Sequence, residues 1–391
     1  FVTKGSDVPA DQVYDDVIVE VPVLRSMANE QLIGRSTLTF GDLLIKNEDG
    51  VRDHWLAWNL DGRSCDLYMG GVGWRKWDFF RVLSGTIQEV YAPRRDQIGF
   101  KIRDRGAVRN RKLQTAVMGG TEADAGAPQP ITFGKVFNIE PVLKASGTRR
   151  FKYADADLTG ATGITQVRDK GISVAYTADL ANGELTLTVD NVGQVTMDVT
   201  NDLTASSATK SGNTHRRALQ TIIEDRAALG AASTYQGARS GSLANFGTTA
   251  TIGLYVRGEA DVQDVLDKIV MSAGGFRFAN AQGLFCATVL DVPAAPYDHE
   301  LLEDDVMGDL EVEKIMLPAE AAQLGYKANG TVQAGGLADA VTVANRALYG
   351  AAAQFTAIVP SYSGLDQPSK HELRRRPANR ITLFEASADA V

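Results

Sequence analysis

Apolar and polar residues alternate over short stretches in the first hundred positions, and this spacing predicts β-strands. The apolar run Val17–Leu24 contains Pro22, which cannot donate to a sheet ladder, so it predicts an edge strand or a connecting arm. Arg35–Ile45 predicts a strand with a glycine kink. Asp49-Gly50, which follows, can supply the positive φ of a tight hairpin.

A second turn at Asp61-Gly62-Arg63 precedes three more predicted strands, Ser64–Met69, Phe79–Tyr91 and Gln97–Arg103. Strand and turn signals that recur about every 8–12 residues are typical of a sandwich or a barrel. We therefore predict an N-terminal arm over residues 1–30 and a first small β-barrel over residues 31–115.

Residues 116–130 are small and rich in Gly and Pro, and this composition predicts a linker. Two turn signals follow, Asp169-Lys-Gly171 and Ala181-Asn-Gly183. They punctuate five predicted β segments: Ile131–Leu143, Ile164–Arg168, Gly171–Tyr176, Leu185–Val189 and Gln194–Val199. We predict an inserted all-β domain over residues 131–201.

The apolar spacing then becomes helical. A first helix is predicted to begin after Asn213 or Thr214 as its cap, with an apolar face of four residues, Leu219, Ile222, Ile223 and Leu229. A second helix is predicted from Glu259 to Ala273, ended by Gly274-Gly275. Its apolar stripe is Val262, Val265, Leu266 and Ile269.

A hairpin is predicted directly after this helix, over Phe276–Leu290 with its turn at Asn280–Gly283. The helix and the hairpin together predict an α+β unit over residues 202–335. Further strands are predicted at Leu310–Met316 and Leu324–Val332, the second of them paired with Ile381–Phe384. Residues 336–391 are then a C-terminal segment that contributes to a second barrel.

The predicted fold class is mainly β (α+β), with small β-barrels, an inserted all-β domain and a helix-plus-hairpin unit. A chain of 391 residues with 44% apolar residues can bury the cores of two to four such domains. No run of about 18 apolar residues predicts a membrane span. The start of the chain has neither the basic flank nor the apolar core of a secretory signal, so we expect none.

The net charge of −8 argues against a nucleic-acid-binding protein, because such proteins cluster Lys and Arg. It is compatible with a surface past which DNA slides without binding. The two cysteines, Cys65 and Cys286, lie far apart in apolar surroundings and are interpreted as reduced, buried thiols.

No recognisable catalytic motif emerges. The four histidines, His54, His215, His299 and His371, are scattered and form no zinc-binding pattern. Asp298-His299-Glu300 follows two prolines and is interpreted as a solvated loop. Gly70-Gly-Val-Gly73 has the composition of a phosphate-binding loop but lies between strand signals, so it is interpreted as a turn. We therefore assign no catalytic, cofactor-binding or metal-binding residue and predict a protein that is not an enzyme.

Three carboxylates, Asp49, Asp53 and Asp61, lie close in sequence to all four tryptophans, Trp55, Trp58, Trp74 and Trp77. Aromatic rings beside paired carboxylates could form the sugar platform of a glycosidase. The competing interpretation is that the indoles cap a small barrel core or make subunit contacts, where Trp is enriched.

Two short charge runs, Glu303-Asp-Asp305 and Arg374-Arg-Arg376, are typical of solvated surfaces. In a protein that forms rings, they could also meet across a subunit boundary.

Several turn and packing motifs resemble, in their order along the chain, a family of siphophage tail-tip and gene-transfer-agent structural proteins. They are Gly41–Gly50, Asp61-Gly-Arg63, Leu83–Val90, Phe133–Leu143, Asp261–Asp291 and Leu324–Gln333. The resemblance covers residues 35–335. It implies an architecture similar to contractile-tail baseplate hubs, in which each subunit carries paired β-barrels and a homotrimer makes pseudo-sixfold symmetry. Such proteins usually continue past a helix like Glu385–Val391, which implies further residues or a partner there.

By this resemblance, the chain is expected to be a structural subunit of a bacteriophage tail-tip or baseplate hub, in a virion assembled in the host cytoplasm. It would join the tail tube to the tip and line the channel through which genomic DNA passes without specific binding. The expected partners are two further copies, the tail tube, the distal tail and other tail-tip proteins. The alternatives are a distal-tail or baseplate adaptor ring and, among enzymes, a tail-associated cell-wall hydrolase with Asp49, Asp53 or Asp61 as acid.

Overall fold

The computed structural model of the chain describes residues 16–23, 25–27, 34–35, 37–71, 74, 76–104, 111–120, 122, 124–155, 163–201, 214–226, 243, 246, 251–281, 283–289, 322–358 and 378–381. Twenty-one β-strands, three α-helices and short 3₁₀ and π turns make up this part of the chain, so the prediction of a mainly β fold is confirmed. The predicted strand Leu310–Met316 and the predicted helix Glu385–Val391 lie outside the described residues.

The first sheet is a half-barrel whose strand order is β1-β4-β7-β6-β5, with β2 beside β4 on the same side as β1. Its strands are β1 Ile18–Glu20, β2 Arg25–Met27, β4 Thr37–Lys46, β5 Ser64–Met69, β6 Phe80–Arg94 and β7 Gln97–Arg103. Register shifts in the β4–β7, β5–β6 and β6–β7 pairs place extra residues in β4 and β6, and such β-bulges bend and twist a sheet. Among the described strands, β1 and β5 do not pair with each other, so the sheet is a half-barrel where we predicted a barrel.

The predicted tight hairpin at Asp49-Gly50 is wrong, although Gly50 does adopt a positive φ of 67°. The chain enters a 3₁₀ helix at Asp53–Ala57 instead, and β4 pairs with β7 rather than with the next strand. The physical reason is local: the amide of Asn47 bonds the backbone of Arg52 and the carboxylate of Asp53, which directs the chain into a helical turn. The predicted glycine kink is confirmed, because β4 shifts register between Thr39 and Asp42.

The described parts of residues 131–201 form a β-sandwich of two sheets. The four-stranded sheet has the order β13-β14-β10-β9, and the other has the order β12-β11-β15-β8 with a fifth strand, β16 Gly253–Val256, beyond β8. The strands are β8 Ile131–Ile139, β9 Val142–Ala145, β10 Arg150–Lys152, β11 Gly163–Asp169, β12 Ile172–Ser173, β13 Tyr176–Asp179, β14 Glu184–Leu187 and β15 Val195–Asn201. Inward-facing residues of both sheets share one core, with Phe151, Val167, Leu185 and Met197 among its members.

Two positions explain how the predicted β segments divide. The single segment predicted over Ile131–Leu143 splits into β8 and β9, because Asn138 is left-handed and Pro141 follows. Strand β10 has no counterpart among the predicted segments. The two predicted turns are confirmed: Lys170 and Gly171 both have positive φ between β11 and β12, and Gly183 has a φ of 63° between β13 and β14.

The predicted helix-plus-hairpin unit is confirmed. Helix α1 spans His215–Thr221 and continues into a π turn at Ile222–Arg226, with Thr214 as the N-cap whose hydroxyl accepts from the backbone N–H of Arg217. Helix α2 spans Val262–Ser272, and its predicted apolar stripe is buried. The hairpin is β17 Gly275–Ala279 with β18 Phe285–Val289, and β3 Gly34–Arg35 lies parallel to β17. Leu229, the last apolar position of the first predicted helix, lies outside the described residues.

Strand β8 connects two cores, because its burial is nearly complete on both faces. Val136 and Ile139 lie in the sandwich core, whereas Ile131 and Phe133 pack with α1, α2 and the hairpin. Residues 116–130, predicted as a linker, fold back on themselves in their described part: Met118 and Ala127 are joined by a backbone hydrogen bond, and Gln129 bonds Ala116.

The C-terminal sheet consists of β19 Ala322–Tyr326, β20 Gln354–Ile358 and β21 Ala378–Ile381, with β19 in the centre. The predicted pairing of the Leu324 strand with the end of the chain is confirmed, although β21 begins three residues before the predicted Ile381–Phe384. Helix α3, Val343–Gly350, carries Tyr349 onto the sandwich, where its ring stacks on Phe137 with centroids 6.2 Å apart.

No described helix has the length and the apolar character needed to cross a lipid bilayer.

The pairing of β8 with β16 depends on two glycines that lie opposite each other, Gly134 and Gly253. A Cβ on Gly134 would lie 1.9 Å from the carbonyl oxygen of Ile252, and Gly134 has a φ of 66°. We expect Gly134→Ala to lower the free energy of unfolding by at least about 2 kcal/mol, from the left-handed strain and the clash together. Urea denaturation followed by circular dichroism measures it.

The matched control is Gly147→Ala, because a Cβ on Gly147 meets no atom within 4 Å and its φ is not positive. Equal stability of the two variants would contradict the close approach of β8 and β16.

The buried ion pair of Arg168 with Asp198 generates a second prediction. The Arg168 side chain is only 2% exposed and Asp198 accepts from both of its terminal nitrogens. Arg168→Met leaves the Asp198 carboxylate without its cation, so the free energy of unfolding should fall by about 3 kcal/mol or more in urea denaturation. Arg149→Met is the control, because a terminal nitrogen of Arg149 lies 3.3 Å from a carboxylate oxygen of the exposed Asp190. Loss of this surface ion pair should lower the free energy of unfolding by less than about 1 kcal/mol. A similar loss in both variants would argue against a special role of Arg168.

Candidate interface on the half-barrel

The three carboxylates that the sequence placed near the tryptophans each take part in a separate local contact. Asp53 begins the 3₁₀ helix and accepts from the Asn47 side-chain amide at 2.6 Å. Asp49 accepts from the backbone N–H of Val51 at 3.3 Å, and Asp61 forms an ion pair with Arg103 at 2.9 Å. These contacts stabilise turns and join β7 to the turn before β5.

The four tryptophans divide into two groups. Trp55 and Trp58 stack with centroids 6.5 Å apart, and Trp55 also packs against Phe100 in the sheet core. Trp55 therefore caps the core of the half-barrel, as one of the two interpretations expected. Trp74 and Trp77 lie instead in the connection between β5 and β6, and both are exposed.

Trp74 and Trp77 belong to a larger apolar surface, which we call the β5 patch. Trp74 packs edge-on against Phe80 with centroids 5.8 Å apart, and Phe80 lies opposite Met69 across the β5–β6 pair. The backbone N–H of Trp74 donates to Gly71 at 3.2 Å, so the described part of Gly70–Gly73 is a turn; Val72 and Gly73 lie outside the described residues. The β5 patch consists of five residues that are 43–69% exposed: Tyr68, Met69, Trp74, Trp77 and Phe80.

A second apolar surface lies on the opposite edge of the same sheet, and we call it the β1 patch. It consists of four residues that are 43–58% exposed: Ile18, Val19, Val21 and Val23. Pro22 is buried between them, and the backbone N–H of Gly41 in β4 donates to the carbonyl oxygen of Val23 at 3.0 Å. This contact holds the apolar run along β4 as an edge strand, one of the two predicted arrangements for Val17–Leu24.

The two patches coincide with the two open edges of the half-barrel. Strand β5 pairs with β6 alone, and β1 pairs with β4 alone, within the part of the chain that the structure describes. Each therefore presents one side of its backbone for pairing with another strand. The sequence predicted both strands. It did not predict that each apolar surface lies on an open edge of the sheet, because the spacing of residues does not encode the order of strands.

Exposed polar groups stabilise the face between these edges. The Tyr91 hydroxyl on β6 donates to the Asp42 carboxylate on β4, and Lys101 forms an ion pair with Glu89 at 2.7 Å. The hydrogen bond to Asp42, together with burial, raises the pKa of Tyr91 to about 12. Tyr91 also covers Gly99, where any side chain would clash with its ring.

Thiol and imidazole groups are potentially reactive side chains among the residues that the structure describes. Burial, followed by the neighbouring Asp66 carboxylate, raises the pKa of the Cys65 thiol, so it stays protonated at neutral pH; both Cys65 and Cys286 are free thiols. His54 packs against Trp58 with centroids 4.8 Å apart, and the buried His215 bonds Ser272 at 2.9 Å. Groups of three or more His, Cys, Asp or Glu side chains that could hold a metal ion do not occur among the described residues.

Several candidates from the sequence lie outside the described residues: His299 and His371, the loop Asp298-His299-Glu300, and the charge runs Glu303–Asp305 and Arg374–Arg376.

No family model matches this sequence, and no curated protein matches it.

The Tyr91–Asp42 hydrogen bond predicts a pH dependence. Tyrosine in an unfolded chain has a pKa of about 10, so the unfolded chain releases this proton before the folded protein does. The free energy of unfolding should therefore decrease as the pH rises from about 10 to about 12, and less steeply in Tyr91→Phe.

Ultraviolet titration of the tyrosines in the folded protein checks this directly. Tyr91→Phe should remove absorbance from the phase near pH 12. An unchanged phase near pH 12 in Tyr91→Phe would contradict the assignment.

Proposed function

We propose that this chain is a structural subunit of a bacteriophage tail-tip or baseplate hub, joining the tail tube to the tip and lining the channel for genome passage. The observation that carries the proposal is the half-barrel with two unpaired, apolar edges in the described structure. A neighbouring chain that pairs with such edges covers their free backbone groups and apolar side chains, as happens in a ring of subunits.

The segments that carry the resemblance to tail-tip proteins support the proposal through their positions. Gly41–Gly50 and Leu83–Val90 lie in the half-barrel, on β4 and β6. Phe133–Leu143 spans β8 and β9, and Asp261–Asp291 contains α2 and the hairpin. These segments are the strands, turns and packed faces that build the fold. A family that shares them therefore shares an architecture rather than a reaction centre.

The contacts of the carboxylates also favour a structural role over a cell-wall hydrolase. A glycosidase needs two carboxyl groups that face one substrate, with one of them kept protonated. Asp49, Asp53 and Asp61 are occupied by a backbone N–H, a side-chain amide and a guanidinium respectively.

In the proposed hub, three copies present six similar faces, so that a sixfold tail tube can meet a threefold tip. The acidic balance of the chain, 48 Asp and Glu against 40 Lys and Arg, suits a channel that DNA passes without being held. The proposed partners are further copies of the chain, the tail tube, the distal tail and other tail-tip proteins. The proposed location is the virion tail, assembled in the host cytoplasm.

The number of copies per particle tests this proposal. Electron microscopy of tail tips that contain the tagged chain should show three copies between the tube and a narrower tip. Six copies in a ring would replace the hub with a distal-tail adaptor. Absence from any particle, together with cell-wall lysis that is lost on changing Asp49, Asp53 or Asp61 to Asn, would replace it with the hydrolase.

A further inference from the structure

We infer that copies of this chain join head to tail through their sheet edges, with β5 of one copy lying parallel to β1 of the next. The inference rests on the proposed function, in which the chain works as a ring, and it names the surface by which the ring is made. The structural basis of the inference is the position of the β5 patch and the β1 patch on the two open edges of the described sheet.

The β5 edge lacks the devices that keep edge strands of monomeric proteins apart. Such strands usually carry lysines, prolines or inward-pointing charges. Strand β5, with the sequence SCDLYM, has neither lysine nor proline, and its only charge, Asp66, accepts a hydrogen bond from Ser84. Strand β1 is shorter, with the sequence IVE, and Glu20 and Pro22 limit the length over which it can pair. An exposed strand edge with apolar side chains is a site for pairing with another chain.

The exposed apolar area matches what a stable interface needs. With about 200 Å² for a fully exposed aromatic side chain, the exposed fractions of the four aromatic residues in the β5 patch amount to roughly 450 Å². Met69 and the four aliphatic residues of the β1 patch bring the total to roughly 900 Å². Because interfaces are about 57% apolar, this corresponds to a buried surface of roughly 1,500 Å², the size of a standard protein interface.

The directions of the strands determine how two copies fit. Each neighbouring pair along β1-β4-β7-β6-β5 is antiparallel, and the row has five strands, so β1 and β5 run in the same direction. Copies related by rotation about an axis along the strands therefore bring β5 of one beside β1 of the next in parallel orientation. The two surfaces differ, which makes the contact heterologous, and a heterologous contact closes into a ring when its rotation divides a full turn.

Single lysine substitutions at the two edges test the inference with the full-length purified chain. Val19→Lys blocks the β1 patch and Met69→Lys blocks the β5 patch. We expect the unmodified chain to form an oligomer by analytical ultracentrifugation, and each variant to sediment near the 42.0 kDa mass of one chain. The apparent Kd for association should rise at least about tenfold in each variant. Val192→Lys is the matched control, because Val192 is 77% exposed but lies in the sandwich.

Mixing the two variants separates a head-to-tail contact from the alternatives. Val19→Lys keeps an intact β5 patch and Met69→Lys keeps an intact β1 patch, so an equal mixture should form a heterodimer and nothing larger. Dimerisation of Val19→Lys alone would mean that β5 pairs with itself and would overturn the inference. Circular dichroism melting curves equal to that of the unmodified chain exclude unfolding as the cause of dissociation.

The remaining outcomes separate this inference from the proposed function. An oligomer that persists in both lysine variants overturns the pairing of edges and leaves the hub proposal standing. An unmodified chain that stays monomeric at micromolar concentration also overturns the inference, and the copy number in tail tips then decides the function independently.

Discussion

The buried guanidinium of Arg168 constrains how the sandwich and the C-terminal segment fit together. A charge that is 2% exposed is tolerated only when it is paired and surrounded by hydrogen-bond acceptors. Asp198 on β15 supplies the counter-charge, and the rings of Phe137 on β8 and Tyr349 on α3 face the guanidinium at 5.7 and 5.0 Å. The sandwich and the C-terminal segment therefore share one electrostatic centre. The Arg168 guanidinium sets the relative position of the sandwich and the C-terminal segment, because losing any of these partners would lower the stability of the folded protein.

The strands, helices and turns of this fold could be predicted from the sequence much better than the way they pair and pack with one another. The stripe of α2, the β17–β18 hairpin and the Gly171 turn follow from local spacing and backbone geometry, which the sequence records directly. The joining of β16 to β8 does not, because it depends on two glycines that are far apart in the chain and lie opposite each other. The burial of Arg168 could not be predicted either, because an arginine in a strand is expected to face solvent until its partner on another strand is known.

The candidate interface shows the same division. The sequence indicated an apolar edge strand at Val17–Leu24 and a group of tryptophans, but it did not indicate that they lie on opposite edges of one sheet. It also grouped Asp49, Asp53 and Asp61 with the tryptophans as possible acids. In the folded chain each carboxylate has a local donor, and Trp55 belongs to the core while Trp74 and Trp77 face outward. The turns of the half-barrel therefore place the carboxylates and the tryptophans, which are close in sequence, in separate local environments.

The pairing of β16 with β8 has a consequence for the order in which the protein can fold during synthesis. Strand β8 gains its β15 neighbour early, but β16 is translated about a hundred residues after β8, which at about 5–20 residues per second means roughly 5–20 s. Throughout that interval the side of β8 that later receives Gly253 has no strand beside it, and the apolar side chains of Ile131 and Phe133 lack the helices that cover them. A nascent chain in this state exposes the surface that chaperones bind. The rate of translation therefore determines how long β8 remains unpaired on this side and able to pair with a wrong strand.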